Sequence, residues 1–89
     1  MSIQAFDGNG YIGEFGNNIG YANFIEAVQG KSPFVDQFIR DGVTNKLAEM
    51  RNALLAMSCS RQDQEETRLS IIDLLAKADD IFYISEGWH

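Results

Sequence analysis

The chain has 89 residues, thirteen acidic against seven basic side chains for a net charge of −6, and a hydrophobic content of 45% that includes six Phe, three Tyr and one Trp. This is length for one domain, spanning 1–89, with enough apolar material for a core and too much for intrinsic disorder. An anionic chain repels phosphate backbones, which argues against direct nucleic-acid binding, and no apolar run approaches the roughly 18 residues a membrane helix needs.

Ile3–Phe6 and Tyr11–Phe15 flank Asp7-Gly8-Asn9-Gly10, where two turn-forming dipeptides stand side by side, so the chain opens with a β-hairpin. A four-residue loop sets Phe6 against Tyr11 and Ala5 against Ile12. Gly13, Gly16 and Gly20, interrupted by Asn17 and Asn18, suit a connection into a helix over roughly 18–29, with Asn18 as its N-cap. Tyr21, Phe24, Ile25 and Val28 give that helix a one-sided apolar stripe, and Gly30 stands where its C-terminus wants a glycine. Ser32-Pro33 starts a short second helix over 33–41 that Gly42 ends.

Thr44 is the expected cap of a third helix over 44–58, in which Leu47, Met50, Leu54 and Met57 repeat at helical spacing. Asp63 and Glu66 give a capping-box-like start to a fourth helix over 62–78, antiparallel to the third. Ile81-Phe82-Tyr83-Ile84 reads as a strand that pairs with the N-terminal hairpin, since two strands alone are marginal in water. The expected fold is therefore α+β, with a small antiparallel sheet against about four helices.

The fourth helix is unusual. Asp63, Glu66, Ser70, Asp73 and Lys77 share one narrow face, while the apolar residues from Leu69 to Ala78 cover an arc of roughly 220°, against about 100° for an ordinary surface helix. Either this is the central helix, covered by the third helix, the sheet and the first helix, or Ile71, Leu74 and Ala78, with Trp88 of the tail, form an apolar interface.

The motifs that suggest chemistry lack their context. Gly8-Asn9-Gly10-Tyr11-Ile12-Gly13 matches the G-x-G-x-x-G string of dinucleotide sites, but a strand is expected after it where the pyrophosphate needs a helix N-terminus. Asp7-x-Asn9-x-Tyr11 begins like a calcium loop yet has Ile12 where that loop requires glycine. Cys59 near a helix start could be a low-pKa thiol, but the single histidine, His89, is the last residue. Neither a catalytic site nor a cofactor or metal is expected. With no secretory pattern at Met1-Ser2-Ile3-Gln4 and one cysteine, the expected compartment is the cytoplasm.

A binding protein is the remaining reading: Asp63, Glu66, Asp73, Asp79 and Asp80 form an acidic face for a protein partner with a basic surface. In size, acidity and absence of chemistry the chain resembles small inhibitors encoded by phages and mobile elements, anti-CRISPR and toxin-immunity proteins among them. That likeness is one of type and implies action by occlusion. The alternatives are a self-associating virion or scaffold subunit, a homodimer being its simplest form, and a small-ligand domain centred on the glycine-rich hairpin.

Overall fold

The computed structural model describes residues 2–85. In chain order they form β1 (Ile3–Asp7), β2 (Gly10–Phe15), α1 (Asn18–Val28), α2 (Pro33–Asp41), β3 (Val43–Thr44), α3 (Leu47–Leu55), α4 (Gln62–Lys77) and β4 (Phe82–Ser85). The strands make one antiparallel sheet in the order β2-β1-β4-β3, so the C-terminal strand does pair with the hairpin. The α+β architecture is the expected one, with a short additional edge strand, β3.

The alternation in β1 sends Ile3, Ala5 and Asp7 inward and Gln4 and Phe6 outward. Ile3, Ala5, Phe15 and Phe82 then join Phe24 and Val28 of α1, Val35 and Phe38 of α2, Met50 and Leu54 of α3, and Ile71, Ile72, Leu74 and Leu75 of α4 in one buried cluster. The wide apolar arc of α4 is thereby explained. This helix touches α1, α3 and β2 at once, and Ile71, Ile72, Leu74 and Leu75 are core, while Leu69, 48% exposed, and Ala76 face outward.

Asp7, only 4% exposed, closes the hairpin. Its Oδ1 accepts the Asn9 N–H at 2.8 Å and its Oδ2 accepts the Asp79 N–H at 2.8 Å, so one carboxylate ties the turn to the α4–β4 connection. The turn is Gly8–Asn9 alone, with Asp7 opposite Gly10, rather than a four-residue loop. Phe6 does face Tyr11, but a bulge follows, and Ala5 lies opposite Gly13 instead of Ile12. Gly13 explains the shift. Its φ of +152°, and the 2.8 Å at which an added Cβ would meet Leu74 Cδ2, show that β2 crosses α4 too closely for a side chain there.

Gly13→Ala is therefore expected to lower stability by about 1–3 kcal/mol through backbone strain plus the clash with Leu74. Gly10→Ala is the control, since Gly10 also has positive φ (+119°) but open space where its Cβ would stand. In urea titrations, equal losses for the two variants would show that Leu74 yields without cost.

Two helix starts differ from the sequence reading. Asn17, not Asn18, caps α1, its Oδ1 accepting the Gly20 N–H at 2.7 Å. Thr44 does not cap α3: it is buried in β3, its Oγ1 accepts the Lys46 N–H at 2.9 Å, and the helix begins only at Leu47. Because β3 claims Thr44 for the sheet, the helix spans 47–55 rather than 44–58. By contrast Ser32 accepts the Phe34 and Val35 N–H groups, Pro33 opens α2 and Gly42 closes it at φ +73°, as expected.

Candidate interaction surface

The start of α4 holds the most developed polar network. Asp63 lies inside the helix, its Oδ1 accepting the Gln64 N–H and its Oδ2 the Asn23 Nδ2 at 2.8 Å; Glu66 is exposed and accepts from Gln62 Nε2. Neither closes a capping box. Glu65 reaches back instead, accepting the Cys59 N–H at 3.1 Å while binding Arg68 through both carboxylate oxygens. Arg68, 7% exposed, also donates Nη1 to the Leu54 carbonyl at 2.7 Å, so its guanidinium satisfies the end of α3. Hydrogen bonds from Arg68 and the Cys59 N–H hold the Glu65 carboxyl down at about 2. Gln64 and Thr67, polar residues on the inner side of this helix, are buried with their donors used on the Asn23 and Asp63 carbonyls.

The same network bears on the Cys59 thiol. Burial, then the Glu65 charge, push the thiol up from its ordinary value, against smaller opposing effects of Arg68 and Lys31. Among the described residues no group of three or more His, Cys, Asp or Glu side chains is placed to hold a metal ion. The cleft of about 330 Å³ between the α1 N-terminus and α4 holds Asp63 and Glu66, but both carboxylates already have partners within the chain. After the glycine string the chain runs on as β2, so the fingerprint's helix N-terminus is absent from that place.

The five candidate acidic residues do not converge. Glu66 and Asp73 are exposed on α4, Asp63 is partly buried, and Asp79 and Asp80 are exposed in the following loop. Asp63 and Asp73 stand about 15 Å apart along α4, Asp79 and Asp80 lie beyond its end, and Lys77 is exposed on the same face. The Asn23 hydrogen bond is the chief reason that the Asp63 carboxyl sits below its ordinary value. Of the proposed apolar interface, Ile71 and Leu74 are buried at 0% and 5% exposure and so beyond a partner's reach, and Ala78 is half-buried against the core. Trp88 lies outside the described residues.

A different surface emerges from the sheet register. Phe6 pairs with Tyr11 on one side and Tyr83 on the other, and Tyr83 pairs with Val43, so Tyr11, Phe6, Tyr83 and Val43 make an unbroken row across all four strands. Phe6 and Tyr83 are stacked at 5.2 Å and 15°, and Tyr11 meets Phe6 edge-on at 5.9 Å and 73°. None of the four belongs to the core cluster or to the side chains packed on it; Tyr11 is 56% and Val43 39% exposed. Among the described residues, then, no helix covers this face.

Carboxylates stand at both ends of the strands that carry the row. Glu14 shares the outer face, accepting from the Tyr11 hydroxyl at 3.3 Å, and its register partner is Gln4. Partial loss of hydration, together with Glu14, raises the Tyr11 phenol above its ordinary value. At the turn end lie Asp79, which accepts from Asn9 Nδ2 at 3.2 Å, and Asp80, held at a φ of +65° in a γ-turn closed by the Ile81 N–H to the Asp79 carbonyl. Among the described residues no strand contains Lys or Arg. The sequence reading missed this surface because the strand pairs that assemble it join residues up to about eighty positions apart; its one local sign was Phe6 facing Tyr11.

Compared with known proteins, the chain matches no family model, and neither a curated protein nor a solved structure matches it.

Proposed function

We propose that this protein is a binding module that occludes a basic surface of a protein partner, and that it does so with the outer face of its sheet. The observation that carries the reading is the aromatic row Tyr11-Phe6-Tyr83-Val43, with Phe6 and Tyr83 half-buried between exposed ends, which among the described residues no helix covers and which is bordered by carboxylates with no Lys or Arg on a strand. Large aromatics on an exposed surface dominate binding energies, and a surplus of negative charge favours basic partners over a second anionic copy of this chain. Occlusion needs no chemistry from the module, which suits the inhibitor class that the sequence resembles.

The test is affinity capture from the source cell with the wild-type protein and with Phe6→Ser/Tyr83→Ser, both variants first shown to be folded by near-ultraviolet circular dichroism. The double variant is expected to lose its partner by about thirtyfold or more in affinity, on the scale of a hot-spot pair, and added salt should weaken the wild-type complex. Undiminished capture by the double variant, with loss on charge reversal at Glu66 and Asp73, would move the binding surface to α4. A wild-type dimer by sedimentation that the double variant abolishes would favour the self-associating subunit.

A further inference from the structure

We infer that the segment this sheet face takes from its partner is an extended, arginine-rich strand of chain, read by guanidinium stacking on the aromatic row; this rests on the reading of the face as a binding surface. Four strands about 4.8 Å apart make the row about 14 Å long, which an extended segment of about five residues spans. Alternate side chains of such a segment point the same way, so every second residue is presented to the row.

The chemistry of the row selects what those residues are. Tyr83 stands between Phe6 and Val43 in the row with one ring face stacked on Phe6, and Tyr11, 56% exposed at the β2 end, is the most open of the three rings. Guanidinium is the side-chain cation suited to this geometry, because it is planar, weakly hydrated and stacks on aromatic faces while its edge donates hydrogen bonds. The acceptors are in place: Glu14 is exposed on the same face on one side of the row, and Asp79 and Asp80 are exposed at the turn end on the other. Among the described residues no strand position supplies a competing cation. Nucleic acid would find the same rings but would bring phosphate to a chain of net charge −6.

The experiment is amide-resolved NMR titration of the full chain with the blocked peptide Arg-Ser-Arg-Ser-Arg, and in parallel with its lysine counterpart and with a short oligothymidylate. The expected shifts concentrate at Gln4–Phe6, Tyr11–Glu14, Val43 and Phe82–Ser85, and the arginine peptide binds more tightly than the lysine one. Tyr83→Leu, which keeps apolar bulk but removes the ring, should weaken arginine-peptide binding about threefold to fivefold, and Glu14→Gln by a similar factor. Shifts confined to Glu66 and Asp73 on α4, no shifts at millimolar peptide, tighter binding of the oligothymidylate to the same face, or contacts in the free protein between the Trp88 indole and the Tyr83 ring would each overturn the inference. Should the peptides fail while Phe6→Ser/Tyr83→Ser still loses the cellular partner, only the arginine assignment falls. Retention of that partner by the double variant would bring down the binding-surface reading itself.

Discussion

Phe82→Ala is expected to destabilise the protein by about 3–5 kcal/mol, the range for truncating a fully buried aromatic ring. Phe82 is 0% exposed, and its ring lies 5.3 Å from that of Phe38 on α2, tilted by 31°. Its strand is also the one that joins the two ends of the sheet, since β4 pairs with β1 and with β3. The truncation therefore empties space between sheet and helices where a central strand and α2 meet. A chain of this length has a total stability of about 4–13 kcal/mol, so the loss consumes a large part of it. The melting temperature should fall by about 15–30 °C. In urea, the midpoint should drop with little change in slope, because the surface exposed on unfolding is nearly the same. Tyr83→Ala, one residue along and on the outer face, is the matched control and should cost under about 1.5 kcal/mol. A Phe82→Ala loss as small as that of the control would mean that β4 is not docked on the core.

Arg68→Ala should cost about 2–4 kcal/mol, because it removes a buried guanidinium that serves two elements. Without it the Leu54 carbonyl at the end of α3 loses its closest donor, keeping the Met57 N–H at 3.1 Å, and Glu65 loses the cation that orients it toward the Cys59 N–H. Arg68→Met retains the buried stem and should cost less, which separates lost apolar contact from lost hydrogen bonding. The difference between wild type and Arg68→Ala should also depend on pH. Glu65 has a folded pKa of about 2 against an ordinary 4.5, so its folded state favours the ionised form. A depressed carboxylate contributes its full stabilisation above the unfolded value and loses it as pH falls from about 4.5 toward 2. Guanidinium titrations at pH 7 and pH 3 should accordingly show the gap between the two proteins narrowing at the lower pH. A gap that stayed constant would remove Glu65 as the partner through which Arg68 acts.

The polar residues near the start of α4 illustrate how far local pattern carries. Gln64, Thr67 and Arg68 interrupt the apolar arc in sequence, yet all three are buried, each with a hydrogen-bond acceptor on another part of the backbone. For Gln64 and Arg68 that acceptor lies on a different helix, so the spacing of α4 puts them on its inner side, seven and three residues before Ile71, but cannot show what satisfies them there. Glu66, chosen for its three-residue distance from Asp63, is solvent-exposed, and the neighbouring Glu65 makes the backbone contact. The chain from Cys59 to Arg61 approaches α4 from the side that Glu65 faces, and only the turn after α3 determines that.

What the sequence by itself determined is whatever depends on residues within a turn or two of one another. The α2 boundaries follow from Ser32, Pro33 and Gly42, whose caps are local hydrogen bonds and fixed dihedrals, and the helical stripe of Phe24 and Val28 follows from a 3.6-residue period. The existence of the hairpin and of the final strand has the same origin in turn residues and β-branched or aromatic runs. Tertiary structure decided the rest. The bulge opposite Ala5 arises where Gly13 passes Leu74, Thr44 went to β3 because Phe82 stood ready to pair with it, and the row from Tyr11 to Val43 exists only once four strands from both ends of the chain are in register. Strand pairing is set by contacts between distant residues, and a shift of one residue turns every side chain to the opposite face, so the surface of interest could be read only after the sheet had formed.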